Sequence, residues 1–206
     1  PTQVQIIGAD LSSQEACFKL YETVKDQDID ILVNNAGFGA FGNFWEVPLE
    51  KELNMIGLNV NAVHILTKLF LKDFRKKDQG YILNVASSAG FLAGPLMSTY
   101  YATKNYVLRL TEGIYEELRH DGSNVHICAL CPGPVKTGFN NRANVKFSLK
   151  GLKSLDVARL GVFGMFQRKV VIIPGFTMKV ANFCQRFVKE EILLKVTYHF
   201  QHRKKG

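Results

Sequence analysis

Ser98-Thr99-Tyr100-Tyr101-Ala102-Thr103-Lys104, together with Ser87 thirteen residues before Tyr100, is the stretch on which the reading of this chain turns. Val107, Leu110, Ile114 and Leu118 recur at spacings of three and four, with Arg109, Glu112, Glu116 and Arg119 on the other side, so residues from about 98 to 118 are predicted as one amphipathic helix. Tyr100 and Lys104 then stand one turn apart on the same face. An ammonium beside a phenol favours the phenolate, so the spacing predicts a Tyr100 pKa brought down toward the range useful for acid/base work. Ser87 follows the apolar run Tyr81-Ile82-Leu83-Asn84-Val85-Ala86, which reads as a buried strand. Open α/β sheets place their ligands at the ends of such strands.

Tyr-x-x-x-Lys on its own equally fits plain packing and solvation, and the neighbouring motifs decide the matter. Asn34-Asn35-Ala36-Gly37 follows the apolar strand Asp30-Ile31-Leu32-Val33, Asn59 interrupts a long helical pattern, and Pro132-Gly133-Pro134-Val135-Lys136-Thr137 follows the strand predicted over residues 125–130. In order and spacing these resemble the short-chain dehydrogenase/reductase family of the classical type, from about residue 4 to residue 175. The resemblance implies an α/β fold, a Rossmann-type doubly wound parallel sheet of strand order 3-2-1-4-5-6-7 with helices on both faces. It also implies an NAD- or NADP-dependent enzyme interconverting a carbonyl and an alcohol. Tyr100 would be the general acid/base, Lys104 would lower its pKa and hold the ribose, Ser87 would orient the carbonyl, and Asn59 would hold a water that relays protons to Lys104. On the cofactor side it implies Asp10 at the adenine with Leu11 following, and Asn35, Ala36 and Gly37 along the adenosine ribose. The loop holding Pro132 and Gly133 would lie against the nicotinamide, with Val135 and Thr137 at its carboxamide. Two plainer readings stay open: Asp10 as a turn or cap, and residues 132–134 as a Pro-Gly turn.

Residues 4–9 read as a strand ending at Asp10, with Ser12 or Ser13 capping a helix that runs to about Lys25. The chain contains no Gly-x-x-x-Gly-x-Gly phosphate loop. Within the resemblance it starts at the third strand, so strands 1 and 2 are expected to be missing, as in a truncated record. Residues 4–9 must then pair with the strand at residues 31–33 or leave their ladder groups exposed. The 206 residues alone are expected not to bind a dinucleotide tightly. Mid-helix Gly57 and Asn59 predict a local kink. Residues 138–153 show no sustained period and suit a lid, and Phe91, Leu92 and Leu96 are candidate walls of a lipophilic pocket.

Composition bounds the remainder. At 47% hydrophobic and 21% charged the chain is an ordinary globular protein with one sizeable core. Of its net charge of +8, residues 179–206 supply +5 through seven Lys/Arg and two Glu, so the remainder is only +3 and nothing points to nucleic acid. We divide it into a truncated dehydrogenase-like body over residues 1–175 and a basic amphipathic extension over 176–206. Val180, Phe183, Phe187 and Val196 are expected to pack on the body or on a second subunit, and the His199–Lys205 run to stay solvated. Cys128-x-x-Cys131 lies in a strand, where residues three apart point to opposite faces, so buried thiols and no metal are expected. No apolar run approaches a bilayer span and no leader is apparent, which makes a cytoplasmic homo-oligomer acting on a small carbonyl or alcohol the expectation. The rival readings are a non-catalytic protein that keeps the fold for assembly or regulation, and a membrane-surface protein acting through its basic end.

Overall fold

Strand β2 (Tyr81–Val85) has apolar residues on both of its faces, a pattern that a parallel sheet satisfies by burying both. In the computed structural model, which describes residues 3–137 and 151–202, β2 lies between β1 (Ile31–Asn34) and β3 (His126–Leu130), and β6 (Val171–Ile172) pairs with the far side of β3. All three pairings are parallel, with Leu32, Ile82 and Ile127 in one row and Val33, Leu83 and Cys128 in the next. Because side chains alternate along a strand, these rows face opposite ways. Ile82 and Ile127 pack with Cys17 of α1 (Gln14–Val24), Leu66, Phe70 and Phe74 of α3 (Val63–Lys77), and Leu118 of α4 (Ser98–His120). Leu83, Cys128 and Leu130 pack on the other face with Val157 and Met165 of α5 (Ser154–Phe166). This is the expected Rossmann-type doubly wound sheet, holding positions 4 to 7 of the 3-2-1-4-5-6-7 order. Cys131 joins Val63, Ala86 and Val107 in a separate cluster from Cys128, so the two thiols do sit on opposite sides.

Helix α2 (Leu49–Ile56) continues through a π-helical segment, Gly57–Ala62, into α3. The kink expected at Gly57 and Asn59 is therefore a widened turn. It forms where the loop before α1 crosses, since a Cβ on Gly57 would stand 2.6 Å from the Ser12 carbonyl oxygen. Val135–Lys136 (β4) pairs with Leu152–Lys153 (β5), a two-stranded parallel ladder that the sequence did not announce. Residues 138–150 of the expected lid lie outside the described residues. The chain closes on α6 (Phe176–Cys184) and α7 (Glu190–His202).

Two expectations are corrected. Residues 4–9 form no strand: Val4 and Ile6 are 80% and 91% exposed, and no ladder reaches them. An extended segment becomes a strand only beside another, and β1 keeps its outer edge unpaired among the described residues, with Ile31 and Val33 exposed there. The second concerns the extension, and only in part: Val180, Phe183, Phe187 and Val196 stand exposed and do not pack on the body, which leaves the second subunit of that expectation. Gln201, expected to be solvated, is instead buried and donates to the Tyr101 hydroxyl at 2.5 Å.

Beneath the sheet runs a buried polar chain. Asn34 Nδ2 donates to Asn84 Oδ1 at 2.9 Å and to Thr67 Oγ1 at 3.0 Å, Asn84 Nδ2 donates to Thr111 Oγ1 at 3.0 Å, and Thr111 returns its proton to the Val107 carbonyl at 2.7 Å. It ties β1 and β2 to α3 and α4 at the level of the strand ends. Asn84→Ala strands Asn34 and Thr111 in the dry interior, and we expect it to cost about 3 kcal/mol. A urea unfolding midpoint within error of the wild type would show the chain to be dispensable.

Candidate active site

Ser87 leaves β2 in extended conformation, and its Oγ accepts from the Ala89 N–H at 3.1 Å, capping the 3-10 turn Ser88–Phe91. That turn is held from two sides. Ser88 N–H donates to the Pro132 carbonyl at 2.8 Å, joining the loops after β2 and β3. Asn105 of α4 donates its side-chain amide to the carbonyls of Ala89, Leu92 and Tyr101 at 3.0, 2.8 and 2.9 Å. Tyr100 lies in the first turn of α4, inside an apolar cluster with Ala40, Met55, Ala89 and Met97. Its phenol is hydrogen-bonded to the Ser87 side chain. No side chain caps α4 at Met97. Instead the buried carboxylate of Glu52, on α2, accepts from the Thr99 hydroxyl at 2.5 Å, placing a negative group where the helix dipole favours one.

The electrostatics differ from the expectation. Burial pushes the Tyr100 pKa up to about 12; the Ser87 hydrogen bond opposes the rise and Tyr101 adds to it. The Lys104 ammonium donates to the Val85 carbonyl, 2.8 Å away. Burial pulls Lys104 itself down to about 8. A spacing of four places both residues on one face, but it leaves open which way a long side chain reaches. Cys131, also in hydrogen-bond contact with the Ser87 backbone, is pushed up to about 12 by burial and is a neutral wall of the site.

Asn59 sits in the π-helical segment, fully buried. Its Nδ2 donates to the Phe38 carbonyl at 2.8 Å and to Thr103 Oγ1 at 3.1 Å, and its Oδ1 accepts from the Phe38 N–H at 3.1 Å. It thus clamps the loop after β1 to the turn of α4 that carries Tyr100, since Thr103 donates to the Tyr100 carbonyl at 2.7 Å. A Cβ on Gly37 would come 2.9 Å from Asn59 Oδ1 and 3.4 Å from Lys104 Nζ, so the absence of a side chain there lets the loop, Asn59 and Lys104 meet. The structure therefore gathers Ser87, Tyr100, Lys104, Asn59 and Gly37.

The outlying cofactor candidates are placed less decisively. Asp10 is exposed and accepts from the Ser12 N–H at 3.1 Å and hydroxyl at 2.8 Å; these bonds hold its carboxyl below the usual range. It turns the chain into α1, as the plainer reading had it. Leu11 packs on the core, and Asn35 and Ala36 are exposed beyond β1. Pro132 and Gly133 are half-buried, Val135 is in β4, and Thr137 is exposed. Gly37-Phe38-Gly39-Ala40-Phe41-Gly42 has the glycine spacing of a dinucleotide turn, but it opens no helix: Gly42 bonds to the Leu96 carbonyl at 2.9 Å, and α2 starts only at Leu49. Glu52 and Asn105 are the positioning residues that sequence reasoning missed. A carboxylate on an amphipathic helix reads as surface, and no local signal marks Asn105.

A family model described as short chain dehydrogenase matches residues 1–146. The chain belongs to the short-chain dehydrogenase family. Among family members it is 31% identical over 169 residues to "Dehydrogenase/reductase SDR family member 11" of Gallus gallus, a match covering 75% of this chain and 66% of that protein. The chain thus spans just under two-thirds of that relative's length. A short-chain dehydrogenase from Sphingobium yanoikuyae in complex with NADPH superposes with a TM-score of 0.76 at 26% identity, covering 87% of this chain and 72% of the other. A Burkholderia phymatum family member in complex with NAD superposes equally well, with a TM-score of 0.76, 26% identity and coverages of 85% and 72%.

Proposed function

We propose that the chain carries the catalytic half of an NAD- or NADP-dependent oxidoreductase that interconverts a carbonyl and an alcohol. The observation that carries this reading is the hydrogen bond between Ser87 and Tyr100 at the carboxyl ends of the strands. Two hydroxyls, one of them a protonated phenol, converge there on a place for a carbonyl oxygen. Tyr100 gives the proton in reduction, Ser87 orients and polarises the carbonyl, and Lys104 holds the ribose. Asn59 holds the relay water and keeps the Gly37 loop on α4. When bound, the nicotinamide supplies the hydride. The residues fit such a group: among the described residues the Lys104 ammonium, with three protons to donate, has a hydrogen bond only to the Val85 carbonyl. The apolar cluster around Tyr100 supports a lipophilic ketone.

The same reading keeps a dehydrogenase body over residues 1–175, an extension over 176–206, and a cytoplasmic homo-oligomer. The exposed Leu160, Phe163 and Phe166 of α5 offer an apolar face for a second copy. The test is ketone-dependent NADPH or NADH oxidation, measured on the 206 residues and on the same residues preceded by the glycine-rich segment of a relative. We expect tight cofactor binding and turnover in the second form. Failure of both forms on a panel of lipophilic ketones would overturn the assignment.

A further inference from the structure

Helix α6 and the turn after it carry an apolar stripe that none of the described residues covers. Phe176, Val180 and Phe183 recur at spacings of four and three, which sets them on one side of α6 within an arc of about 60°, and Phe187 follows in the 3-10 turn Gln185–Phe187. The three phenylalanines are 81%, 60% and 76% exposed, and the rings of Phe183 and Phe187 meet edge to face at 5.3 Å. The opposite side faces the body. Met178, Asn182 and Gln185 are half-buried there, and a Cβ on Gly133 would come 2.9 Å from Met178 Cγ. The helix is thus docked by its more polar side and presents its aromatic side outward. Leaving three phenylalanines in water forfeits most of the stabilisation their burial would give.

The extension is basic overall, with seven Lys/Arg against Glu190 and Glu191. Lys179, Arg186 and Lys189 accompany the stripe and are exposed, and the two carboxylates follow at the start of α7. Lys179 lies about 60° round α6 from Phe176, at the flank of the stripe, and Arg186 stands beside Phe187 in the turn after it. From there long basic side chains reach past an apolar face to anionic groups.

We propose that this face seats on a lipid bilayer containing anionic lipid, with Phe176, Phe183 and Phe187 among the upper acyl chains and the three cations at the headgroup phosphates. Charge decides between this occupant and a second copy of the chain. A two-fold contact lays a patch against itself, and here it would bring together two copies of an extension with seven Lys/Arg and only Glu190 and Glu191 to offset them. An anionic surface turns the same charges to advantage. Among the described residues no helix is long and apolar enough to cross a membrane, and α6, at nine residues, lies along the surface. Through Met178 and Gly133 the bilayer would adjoin the loop whose Pro132 carbonyl holds Ser88.

Co-sedimentation of the 206-residue chain with vesicles of phosphatidylcholine, with and without phosphatidylglycerol, tests this independently of any activity. We expect binding to the anionic vesicles and at least about tenfold weaker binding to the zwitterionic ones or at high salt. Phe183→Ser/Phe187→Ser and, separately, Lys179→Gln/Arg186→Gln each lower the affinity by about tenfold or more. The unfolding temperature stays unchanged, because these side chains are exposed. Absence of binding to anionic vesicles at low salt overturns the proposal, as does binding indifferent to the phenylalanine pair. A dimer that the Phe183→Ser/Phe187→Ser variant splits, with no vesicle binding in the parent, overturns it too and assigns the face to a second copy.

Discussion

Tyr100→Phe is expected to lower carbonyl reduction by about a thousandfold in the cofactor-binding form of the protein, the middle of the range for removing a positioned general acid. The phenyl ring still fills its place between Met55 and Met97, so the loss falls on kcat with the fold retained. Ser87→Ala removes the hydroxyl that meets the phenol and is expected to cost about a hundredfold. The same variant tests the electrostatics. Subtracting the tyrosinate absorbance of Tyr100→Phe from that of the wild type, without cofactor, isolates one phenol, and its midpoint is expected at about 12. The sign follows from burial, which disfavours the charged phenolate and keeps the proton on the oxygen. A midpoint below the ordinary tyrosine value would show that Lys104 governs this phenol after all. Near-normal turnover by Tyr100→Phe would remove Tyr100 from the mechanism.

The helix of the Tyr-x-x-x-Lys motif was legible because both its apolar line and its charged face repeat with the helical period over twenty residues. The central strands were legible for a similar reason, since runs such as residues 81–86 demand cover on both faces. Asn59 was visible as a residue that no straight helix welcomes, and it proved to sit in a π-helical turn. What escaped was set by partners distant in sequence. Residues 4–9 have strand composition, but a strand exists only through its neighbour, and composition says nothing of whether the neighbour is there. The direction of Lys104 depends on the Val85 carbonyl, nineteen residues away on another element. The α6 stripe was legible as amphipathic, but not that it stands clear of its own body, because periodicity identifies a face without identifying what lies against it.

Lys104→Met is expected to abolish turnover and yet stabilise the protein at pH 7. Lys104 is buried, and its pKa falls from 10.5 to about 8. The unfolded chain therefore binds its proton more tightly than the folded one does. Below pH 8 the lysine is charged in both states, and folding bears the whole cost of burying that charge. Between pH 8 and 10.5 the folded state sheds the proton first, so this contribution to wild-type stability rises with pH, and above 10.5 the penalty is gone. The shift corresponds to about 3 kcal/mol, and the Val85 carbonyl left without its donor returns about 1 kcal/mol of that, for a net gain of about 2 kcal/mol at pH 7. Tyr100, Cys128 and Cys131, whose pKa values rise, act in the opposite sense at high pH. They are common to both proteins and cancel in the comparison. Urea unfolding of wild type and variant at pH 7 and at pH 10.5 measures the difference: a gain at pH 7 that shrinks or reverses at pH 10.5 supports the argument, and equal or lower stability of Lys104→Met at pH 7 refutes it. A residue that weakens the fold where it sits is retained for what it does there, which in the proposed function is to hold a ribose hydroxyl.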